Sequence, residues 1–377
     1  MTNDVENAVL VEQIATAAKE ALEPKLWDYV VGGAGRESTV ARNRQAFDAW
    51  GFRRRVLRNI QTVETSTSLL GEELAIPVFL SPIGSLELLH REGARASAQA
   101  AGQYGTTFFY GVNSATPMQD VVEAGRGQPI FQLYVRDGRD WWQPLLESVE
   151  RLGFRALCIT VDVPVIGRRD RDIRNHFFAL TASDTRRPNL SAAAGFSDPS
   201  RLHGLDWDVL KDIVAATRLP VIVKGIQDPA DALLAVEAGA AAVYVSNHGG
   251  RQLDDEPATL EILPGIVDAV QGRAKVLMDG GITRGIDVVK ALALGADAVG
   301  VGKMQALALA SGGAPGVVRL LQLFEEEIRN TLHQLGVASV GALGRDSLHP
   351  LSRIDRDRPW IASVSYTHLT LPTKRIV

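Results

Sequence analysis

A histidine and an arginine that follow the same predicted strand are the residues in this chain best suited to acid–base chemistry. The segment V-Y-V-S-N-H-G-G-R-Q-L-D, residues 243–254, places His248 and Arg251 after an apolar, β-branched run. Such a run, ended by polar residues and two glycines, predicts a buried strand and then a turn. Histidine can act as a general base, and arginine can bind a carboxylate through two parallel hydrogen bonds. The spacing therefore predicts a proton acceptor and a carboxylate-binding group at the carboxyl end of one strand.

Polar residues also end other apolar runs. In F-Q-L-Y, Gln132 and Tyr134 alternate to one face of a predicted strand, and an inward-facing glutamine needs a hydrogen-bond partner. In V-I-V-K-G, Lys224 ends an apolar run, although lysine is rarely buried without a counter-charge. A lysine at the rim of the fold, with its ammonium group in solvent, is the alternative. Two glycine-rich turns, D-G-G-I-T-R-G and G-V-G-K, have the composition of a phosphate-binding site.

A repeating pattern of short apolar runs, each followed by a helical pattern, must position these residues. The runs are residues 76–81, 106–110, 129–135, 156–161, 220–224, 242–246, 275–279 and 298–302. Their number is that of the strands in a (β/α)8 barrel. Helical periodicity predicts helices at residues 9–21, 140–152, 228–238, 286–294 and 316–334, and Gly239 and Gly295 are expected to end two of the helices. The predicted fold class is therefore α/β, a TIM (β/α)8 barrel with a helical N-terminal extension over residues 1–68.

The chain is expected to form one domain over residues 1–360. One connection after the fourth strand, residues 178–207, is rich in Ser, Ala, Pro, Asp and Arg and lacks an apolar period, which predicts a long lid loop. The last residues, 361–377, have a β-branched, alternating character that a complete barrel does not accommodate. We expect this tail to be non-native sequence. The alternative is a native tail that covers a partner subunit.

Composition argues against several classes of function. The chain has 40 Lys and Arg against 44 Asp and Glu, without a block of like charge, so we expect no nucleic-acid partner. Its one cysteine, Cys158, lies in an apolar run, which predicts a buried thiol and no internal disulfide. No metal site is predicted. Without a recognisable secretory signal or a run of ~18 apolar residues, the chain is expected to be cytoplasmic and to have no membrane partner.

The string S-N-H-G-G-R-Q-L-D, together with G-R-R after the fourth predicted strand, resembles the FMN-dependent 2-hydroxy acid oxidoreductases. This family includes glycolate oxidase, lactate oxidase, lactate monooxygenase and mandelate dehydrogenase, and the resemblance extends over about residues 27–336. It implies a barrel that binds FMN and oxidises a small (S)-2-hydroxy carboxylic acid to the 2-keto acid. Oxygen is the expected electron acceptor, and a homo-oligomer, a tetramer in the family, is the expected assembly.

The resemblance also implies roles for residues at the strand ends. His248 is expected to be the catalytic base, with Asp162 as the carboxylate that pairs with it and raises its pKa. The Tyr134 hydroxyl is expected to meet the substrate's oxygen. The base would accept either the α-proton or the hydroxyl proton of the substrate. The expected substrate-binding residues are Tyr29, Tyr134, Arg169, His248 and Arg251.

The cofactor-binding residues implied by the resemblance come from the ends of seven predicted strands. They are Pro82, Ile83, Gly84, Gln132, Thr160, Lys224, Ser246, Asp279, Gly280, Gly281, Thr283, Gly302 and Lys303. The chain departs from the family at the phosphate end, where many members have arginine in place of Thr283 and Lys303. Lysine keeps the charge but loses the planar fork. Arg284 is a candidate to compensate.

Two further departures concern the substrate pocket and the reaction with oxygen. Asn113 replaces a bulky aromatic residue of glycolate oxidase, which suggests a different acid as substrate. Gly84 stands where family oxidases commonly have alanine. Glycine at this position resembles the dehydrogenases and lactate monooxygenase. Because oxygen is the simplest electron acceptor, an oxidase is nevertheless expected, with a decarboxylating monooxygenase or a quinone-reducing dehydrogenase as alternatives. A barrel similar to IMP dehydrogenase or to dihydroorotate-oxidising enzymes, and a non-catalytic FMN-binding protein, are the rival functions.

Overall fold

The computed structural model describes residues 5–126, 129–177, 188–191 and 204–352. The expected tail, residues 361–377, and most of the expected lid, residues 178–207, lie outside these ranges and stay predictions. Of the lid, the structure describes one short helix and the residues that lead into the next helix.

Eight parallel strands form the predicted barrel. Along the chain they are β1 (Val78–Leu80), β2 (Phe109–Gly111), β3 (Ile130–Leu133), β4 (Leu157–Thr160), β5 (Val221–Ile226), β6 (Ala242–Val245), β7 (Lys275–Met278) and β8 (Ala298–Val301). The strands pair in sequence order from β2 to β8, and β8 pairs with β1. The barrel closes between β1 and β2, where Leu80 bridges Phe108 and its N–H donates to Thr107 O over 3.0 Å. Because all strands are parallel, residues that follow them converge at one end.

Helices surround the barrel, and four of the five predicted helices differ from the observed ones by only one or two residues at their ends. They are α1 (Val11–Ala21), α2 (Pro24–Val31), α3 (Ser38–Gln45), α4 (Gly93–Tyr104), α5 (Met118–Ala124), α6 (Arg139–Leu152), α7 (Asp170–Arg174), α8 (Pro188–Ser191), α9 (Trp207–Ala216), α10 (Pro229–Glu237), α11 (Thr259–Val270), α12 (Gly285–Ala293) and α13 (Lys303–Leu335). Gly239 and Gly295 have positive φ just after α10 and α12, so both end a helix as predicted.

The last helix, α13, is longer than the predicted helix at residues 316–334. It begins directly after β8 and is interrupted at Gly312 and Gly313, whose backbone angles are not helical. An 18-residue segment of α13 has the mean hydropathy of a membrane span, 1.3, but 61% of that segment is buried inside the fold. Because α13 packs against α1, α4 and α12, its apolar composition is explained by burial in the protein core.

The interior of the barrel is packed with side chains, including the predicted buried thiol of Cys158. Phe79, Phe109 and Tyr244 form an aromatic cluster, with ring centroids 4.7 Å apart for Phe79–Phe109 and 5.4 Å apart for Phe79–Tyr244. A short hairpin, Thr67–Leu69 with Glu72–Leu74, adds Leu69 and Leu74 to the same interior cluster. The apolar interior therefore supports a polar layer at the carboxyl ends of the strands.

The N-terminal extension is fixed to the barrel by polar as well as apolar contacts. From α3, Asn43 exchanges two hydrogen bonds of 2.9 Å with Asn247, the residue before the predicted catalytic histidine. A small antiparallel sheet that the sequence did not predict pairs Trp50–Phe52 with Leu348–Pro350. The extension is thus part of the wall of the site.

Close packing between α12 and α13 depends on Gly285. A Cβ atom at this position would lie 2.2 Å from Phe324 O and 2.8 Å from the Cβ of Glu327. We expect Gly285→Ala to lower the free energy of unfolding by about 1–3 kcal/mol, because the two helices must separate. Gly138→Ala is the control, since a Cβ there meets no atom within 4 Å and its φ of -66° suits alanine. Urea denaturation measures both, and equal effects would contradict this explanation.

Candidate active site

The turn after β6 has an unusual backbone conformation. His248 has φ +56°, and Gly249 and Gly250 follow with φ +64° and +74°. A left-handed conformation costs a residue with a side chain roughly 1–2 kcal/mol, so the surrounding structure must hold it. Here the His248 N–H donates to Ser246 Oγ over 3.1 Å, and Gly250 O accepts from Ala34 N over 2.8 Å. The turn is held from the barrel on one side and from the N-terminal extension on the other.

The structure brings the three predicted catalytic side chains together. His248 Nδ1 lies 3.1 Å from Asp162 Oδ1 and 3.2 Å from Oδ2. On the other side of the ring, Nε2 lies 3.5 Å from the Tyr134 hydroxyl. Gly225, at a bulge in β5, makes room for the carboxylate, because a Cβ there would lie 2.6 Å from the Cβ of Asp162. An ionised Asp162 accepts a hydrogen bond from the Nδ1–H of His248, which leaves Nε2 without a proton and as the acceptor that faces Tyr134.

Burial decides the protonation of His248. Burial lowers the pKa of His248 below its ordinary value of 6.5, and the opposing effect of Asp162 does not overcome it. Asp162 thus raises the pKa of His248 as predicted, but the desolvation of the ring, which the prediction left out, outweighs this effect and makes the net shift downward. Burial alone would raise the pKa of Asp162, but His248 and Lys224 together lower it. The pair is a neutral histidine beside a carboxylate, which is the state that a general base needs.

The predicted carboxylate-binding residues lie at the same end of the barrel. Arg251 Nη1 donates to Tyr29 O over 2.6 Å and to Gly32 O over 2.9 Å, at the C-terminus of α2. The partial negative charge of a helix C-terminus stabilises this cation. The Arg251 guanidinium also lies 4.9 Å from the centre of the Tyr29 ring. Arg169 is tied to the same turn, since its Nε donates to Arg251 O over 3.1 Å.

Two cations so close together affect each other. Burial and the neighbouring Arg169 lower the pKa of Arg251 to about 10, so it stays charged at neutral pH. Asp172 Oδ2 lies 3.7 Å from Arg169 Nη1 and offsets part of the charge. Since Arg251 uses Nη1 on the carbonyls of α2, its Nη2 and Nε are the donors that a substrate carboxylate would use. A bound carboxylate would therefore be attracted to this side of His248.

Buried polar residues lie beneath the catalytic turn, where a lysine, a serine and an aspartate form one network. Lys224 Nζ donates to Ser246 Oγ over 2.8 Å and lies 3.7 Å from Asp279 Oδ2. Ser246 donates to Asp279 Oδ1 over 2.7 Å. Burial opposes a charge on Lys224, but Asp279 and Asp162 raise its pKa above the ordinary value. Lys224 is thus a buried ammonium ion with carboxylate partners, and not a lysine that reaches solvent.

A second buried pair comes from β3 and β4. Gln132 Nε2 donates to Thr160 Oγ1 over 2.9 Å, and both side chains are buried. Gln132 thereby has the partner that its inward orientation requires. Pro82, Ile83 and Gly84 are half-buried in the turn after β1.

The phosphate end differs from the expectation that Arg284 compensates for Thr283. Arg284 Nε and Nη2 donate to Glu327 Oε1 on α13 over 2.9 Å and 2.6 Å. The guanidinium beside Thr283 belongs to Arg44, whose Nη1 donates to Thr283 Oγ1 over 2.9 Å. Arg44 also pairs with Asp287, at 2.5 Å and 2.9 Å. The role of Arg44 could not be predicted from the sequence, because nothing in the pattern of α3 shows which loop this side chain contacts.

Lys303 is the remaining cation at the phosphate end. It is the first residue of α13, directly after Gly302, and its Nζ donates to Val31 O over 2.9 Å. Burial and the charge of Arg251 lower the pKa of Lys303 to about 7. A phosphate beside it would favour the protonated form. A Cβ at Gly302 would meet only Ser81, at 3.8 Å, so the N-terminus of α13 is open to an anion.

The two glycines after β7 are required by packing. Gly280 and Gly281 have φ +98° and +77°. A Cβ at Gly280 would lie 2.7 Å from Thr259 Oγ1, and one at Gly281 would lie 2.2 Å from Asn43 O. The turn is therefore pressed against the N-terminal extension, which fixes its position between Asp279 and the start of α12.

These residues fit FMN from one end to the other. Gln132, Thr160 and Lys224 offer buried polar groups to the edge of a flavin ring. Ser246 and Asp279 offer hydrogen-bonding groups to a ribityl chain. Lys303 offers a positive charge to a phosphate, and the open N-terminus of α13 offers N–H donors to it. The fit rests on a buried ammonium ion and on a helix start that has room for an anion.

Asn113, the residue expected to shape the substrate pocket, has a polar partner that was not predicted from the sequence. Asn113 lies against Gly84, where a Cβ would be 3.3 Å from the Asn113 Cβ. This partner is Arg136, which is buried and donates from Nη2 to Asn113 Oδ1 over 2.6 Å. The signal in the sequence is the two-residue spacing of Gln132, Tyr134 and Arg136, which continues the strand alternation past the end of β3.

Comparisons with known proteins agree with this geometry. The family model described as FMN-dependent dehydrogenase matches residues 18–350. An L-lactate oxidase of a Nostoc species is 38% identical over 350 residues, covering 88% of this chain and 95% of that protein. A peroxisomal (S)-2-hydroxyacid oxidase of Arabidopsis thaliana is 35% identical over 350 residues, covering 91% and 96%. A crystal structure of mandelate oxidase with benzoyl-formic acid matches with a TM-score of 0.85 at 36% identity, covering 92% of this chain and 100% of that one. The chain belongs to the FMN-dependent dehydrogenase family.

Proposed function

We propose that this protein uses FMN to oxidise a small (S)-2-hydroxy acid to the 2-keto acid and transfers the electrons to oxygen, with release of hydrogen peroxide. The observation that carries the proposal is the neutral His248, held by Asp162 at 3.1 Å and facing Tyr134, with Arg251 and Arg169 beside it. A proton acceptor next to two guanidinium groups suits a substrate that carries both a hydroxyl and a carboxylate. A non-catalytic FMN-binding protein would have no need of this arrangement.

Arg251, Arg169 and Tyr29 bind and orient the substrate. Two fixed guanidinium groups restrict the carboxylate to one position, so the adjacent carbon and its hydroxyl face His248 and Tyr134. Because the reacting groups are already in place when the substrate is bound, the chemical step does not include the entropy cost of bringing them together. The Tyr134 hydroxyl stays protonated, because burial raises the pKa of Tyr134 above its ordinary value. It therefore serves as a hydrogen-bond donor to the substrate's oxygen.

His248 Nε2 accepts the proton that leaves the substrate, and the protonated ring is then stabilised by Asp162. The geometry suits removal of either the α-proton or the hydroxyl proton. FMN, when bound beside Gln132, Thr160 and Lys224, would supply the two-electron redox chemistry between the substrate and oxygen. The buried ammonium group of Lys224 stays in place throughout, charged and held by Ser246.

Two observations support oxygen as the acceptor and peroxide as a product. The relatives reported above are named oxidases of lactate, of (S)-2-hydroxy acids and of mandelate. Gly84 lacks the methyl group of the common oxidase pattern, but the space beside it is limited, because a Cβ there would lie 3.3 Å from the Asn113 Cβ. The favoured product set is therefore the 2-keto acid and peroxide. The decarboxylating reaction is the second candidate, because glycine at this position also resembles lactate monooxygenase.

The role of His248 predicts the behaviour of His248→Gln. We expect the variant to fold and bind FMN, and its rate of flavin reduction to fall by about 10²–10⁴-fold because no group accepts the proton. Stopped-flow absorbance under anaerobic conditions measures this rate. His333→Gln, at an exposed position near the end of α13, is the control and should behave as wild type. Near-normal reduction in His248→Gln would rule out its role as the base.

Product analysis tests the choice of acceptor. The purified protein is supplied with lactate, glycolate or mandelate in air, and peroxide, keto acid and carbon dioxide are quantified. We expect equal amounts of peroxide and keto acid. A shortened acid with carbon dioxide, and little peroxide, would show the decarboxylating reaction. Reduced flavin that persists in air until a quinone is added would show that oxygen is not the acceptor.

A further inference from the structure

A tyrosine in the barrel interior contacts the charged network beneath the cofactor site. Tyr244 lies on β6, two residues before Ser246, and is completely buried. Its hydroxyl lies 2.9 Å from Asp279 Oδ2 and 3.0 Å from Ser81 Oγ. A buried phenol hydroxyl usually has one acceptor for its single proton. A carboxylate is a stronger acceptor than a hydroxyl, so Tyr244 donates to Asp279 and Ser81 donates to Tyr244.

The barrel is built to admit this hydroxyl. On β8, Gly300 lies opposite Phe79 of β1, and a Cβ at Gly300 would lie 2.3 Å from the Tyr244 hydroxyl oxygen and 2.4 Å from Ser81 Oγ. Any larger residue at position 300 would displace the hydroxyl or Ser81. The Tyr244 ring is fixed by edge contacts with Phe79 and Phe109, at 5.4 Å and 5.9 Å between centroids. The space at Gly300 and the packing of the ring thus place the Tyr244 hydroxyl in the apolar interior of the barrel, within hydrogen-bond distance of Asp279.

The hydroxyl completes a chain of hydrogen bonds that ends at the lysine of the cofactor site. Asp279 accepts from Tyr244 on Oδ2 and from Ser246 on Oδ1, and Ser246 accepts from Lys224. Lys224 Nζ also lies 5.2 Å from the centre of the Tyr244 ring. Tyr244 therefore contacts both members of the Lys224–Asp279 ion pair. Its hydroxyl contacts Asp279, and its ring face contacts Lys224.

We propose that Tyr244 is a positioning residue that holds Asp279 away from full pairing with Lys224 and so keeps the ammonium charge available to the reduced flavin. Without the hydroxyl, the carboxylate loses one of its donors and draws Lys224 closer. The cofactor site then becomes more negative, and the negative charge of a reduced flavin is less stabilised. The inference rests on FMN binding, not on which hydroxy acid is oxidised.

Tyr244→Phe tests the proposal, because it keeps the ring and removes only the hydroxyl. We expect the FMN reduction potential of the holoprotein to become more negative. Sulfite, which adds to oxidised flavin and leaves negative charge on its pyrimidine edge, should bind about tenfold more weakly, as expected for the loss of one charge-assisted hydrogen bond. Both quantities are read from the flavin spectrum without any hydroxy acid, so a failure of the proposed function would not affect them.

Tyr104→Phe is the matched control. The Tyr104 hydroxyl also donates to a carboxylate, Glu325 Oε2 at 2.6 Å, but this pair lies between α4 and α13. Its removal should change stability without changing the potential or the sulfite affinity. A Tyr244→Phe protein with both flavin properties as in wild type would show that Tyr244 only fills the core, and would overturn the proposal.

A double-mutant cycle with Asp279→Asn separates action through Asp279 from a general disturbance of the barrel. If Tyr244 acts through the charge of Asp279, adding Tyr244→Phe to Asp279→Asn should change the sulfite dissociation constant by less than about twofold. Additive effects would contradict the proposal. Should Tyr244→Phe not fold, Ser81→Ala removes the donor to the Tyr244 hydroxyl and should shift the potential in the same direction. An unchanged potential in Ser81→Ala would then count against the proposal.

Discussion

The hydrogen bond between Asp162 and His248 is the interaction on which the chemistry of this site depends. It fixes the tautomer of a partly buried imidazole, so that Nδ1 carries the proton and Nε2 is the acceptor. It also provides the charge that stabilises the ring once the ring is protonated. The bond needs a glycine at position 225 to admit the carboxylate, and it needs the left-handed turn at His248 to aim the ring. The backbone of β5 and the turn after β6 are therefore under constraint from a single contact.

Burial allows His248 to stay neutral although a carboxylate lies beside it. In an exposed pair, a neighbouring carboxylate would raise the pKa of the histidine, and much of the protein would be in the wrong protonation state near neutral pH. Here burial lowers the pKa of His248, and the nearby Lys224 and Arg169 act in the same direction. A substrate carboxylate bound at Arg251 and Arg169 would neutralise part of that positive charge. The histidine would then become a stronger base when substrate is present than when it is absent.

Much of this site could be predicted from the sequence because polar residues that end apolar runs must converge at one end of a parallel barrel. That rule alone places Gln132, Lys224 and His248 together. The rule could not predict features that depend on tertiary contacts. The net direction of the pKa shift of His248 depends on how deeply the ring is buried. The orientation of the Arg284 side chain depends on Glu327, which is distant in sequence, on α13. Arg44 and Tyr244 were missed for the same reason. Arg44 comes from the N-terminal extension, and Tyr244 needs Gly300 on β8 to make room for its hydroxyl.

The pH dependence of flavin reduction tests whether a partly buried, neutral histidine is the base. The second-order rate constant for anaerobic reduction by a hydroxy acid reports the ionisation of the free enzyme. Because His248 must be neutral to accept a proton, this rate constant should fall as the pH falls through the pKa of His248. Its acidic midpoint should lie below 6.5, the ordinary value for histidine. A midpoint clearly above 6.5 would mean that the carboxylate outweighs burial, and would contradict this account of the site.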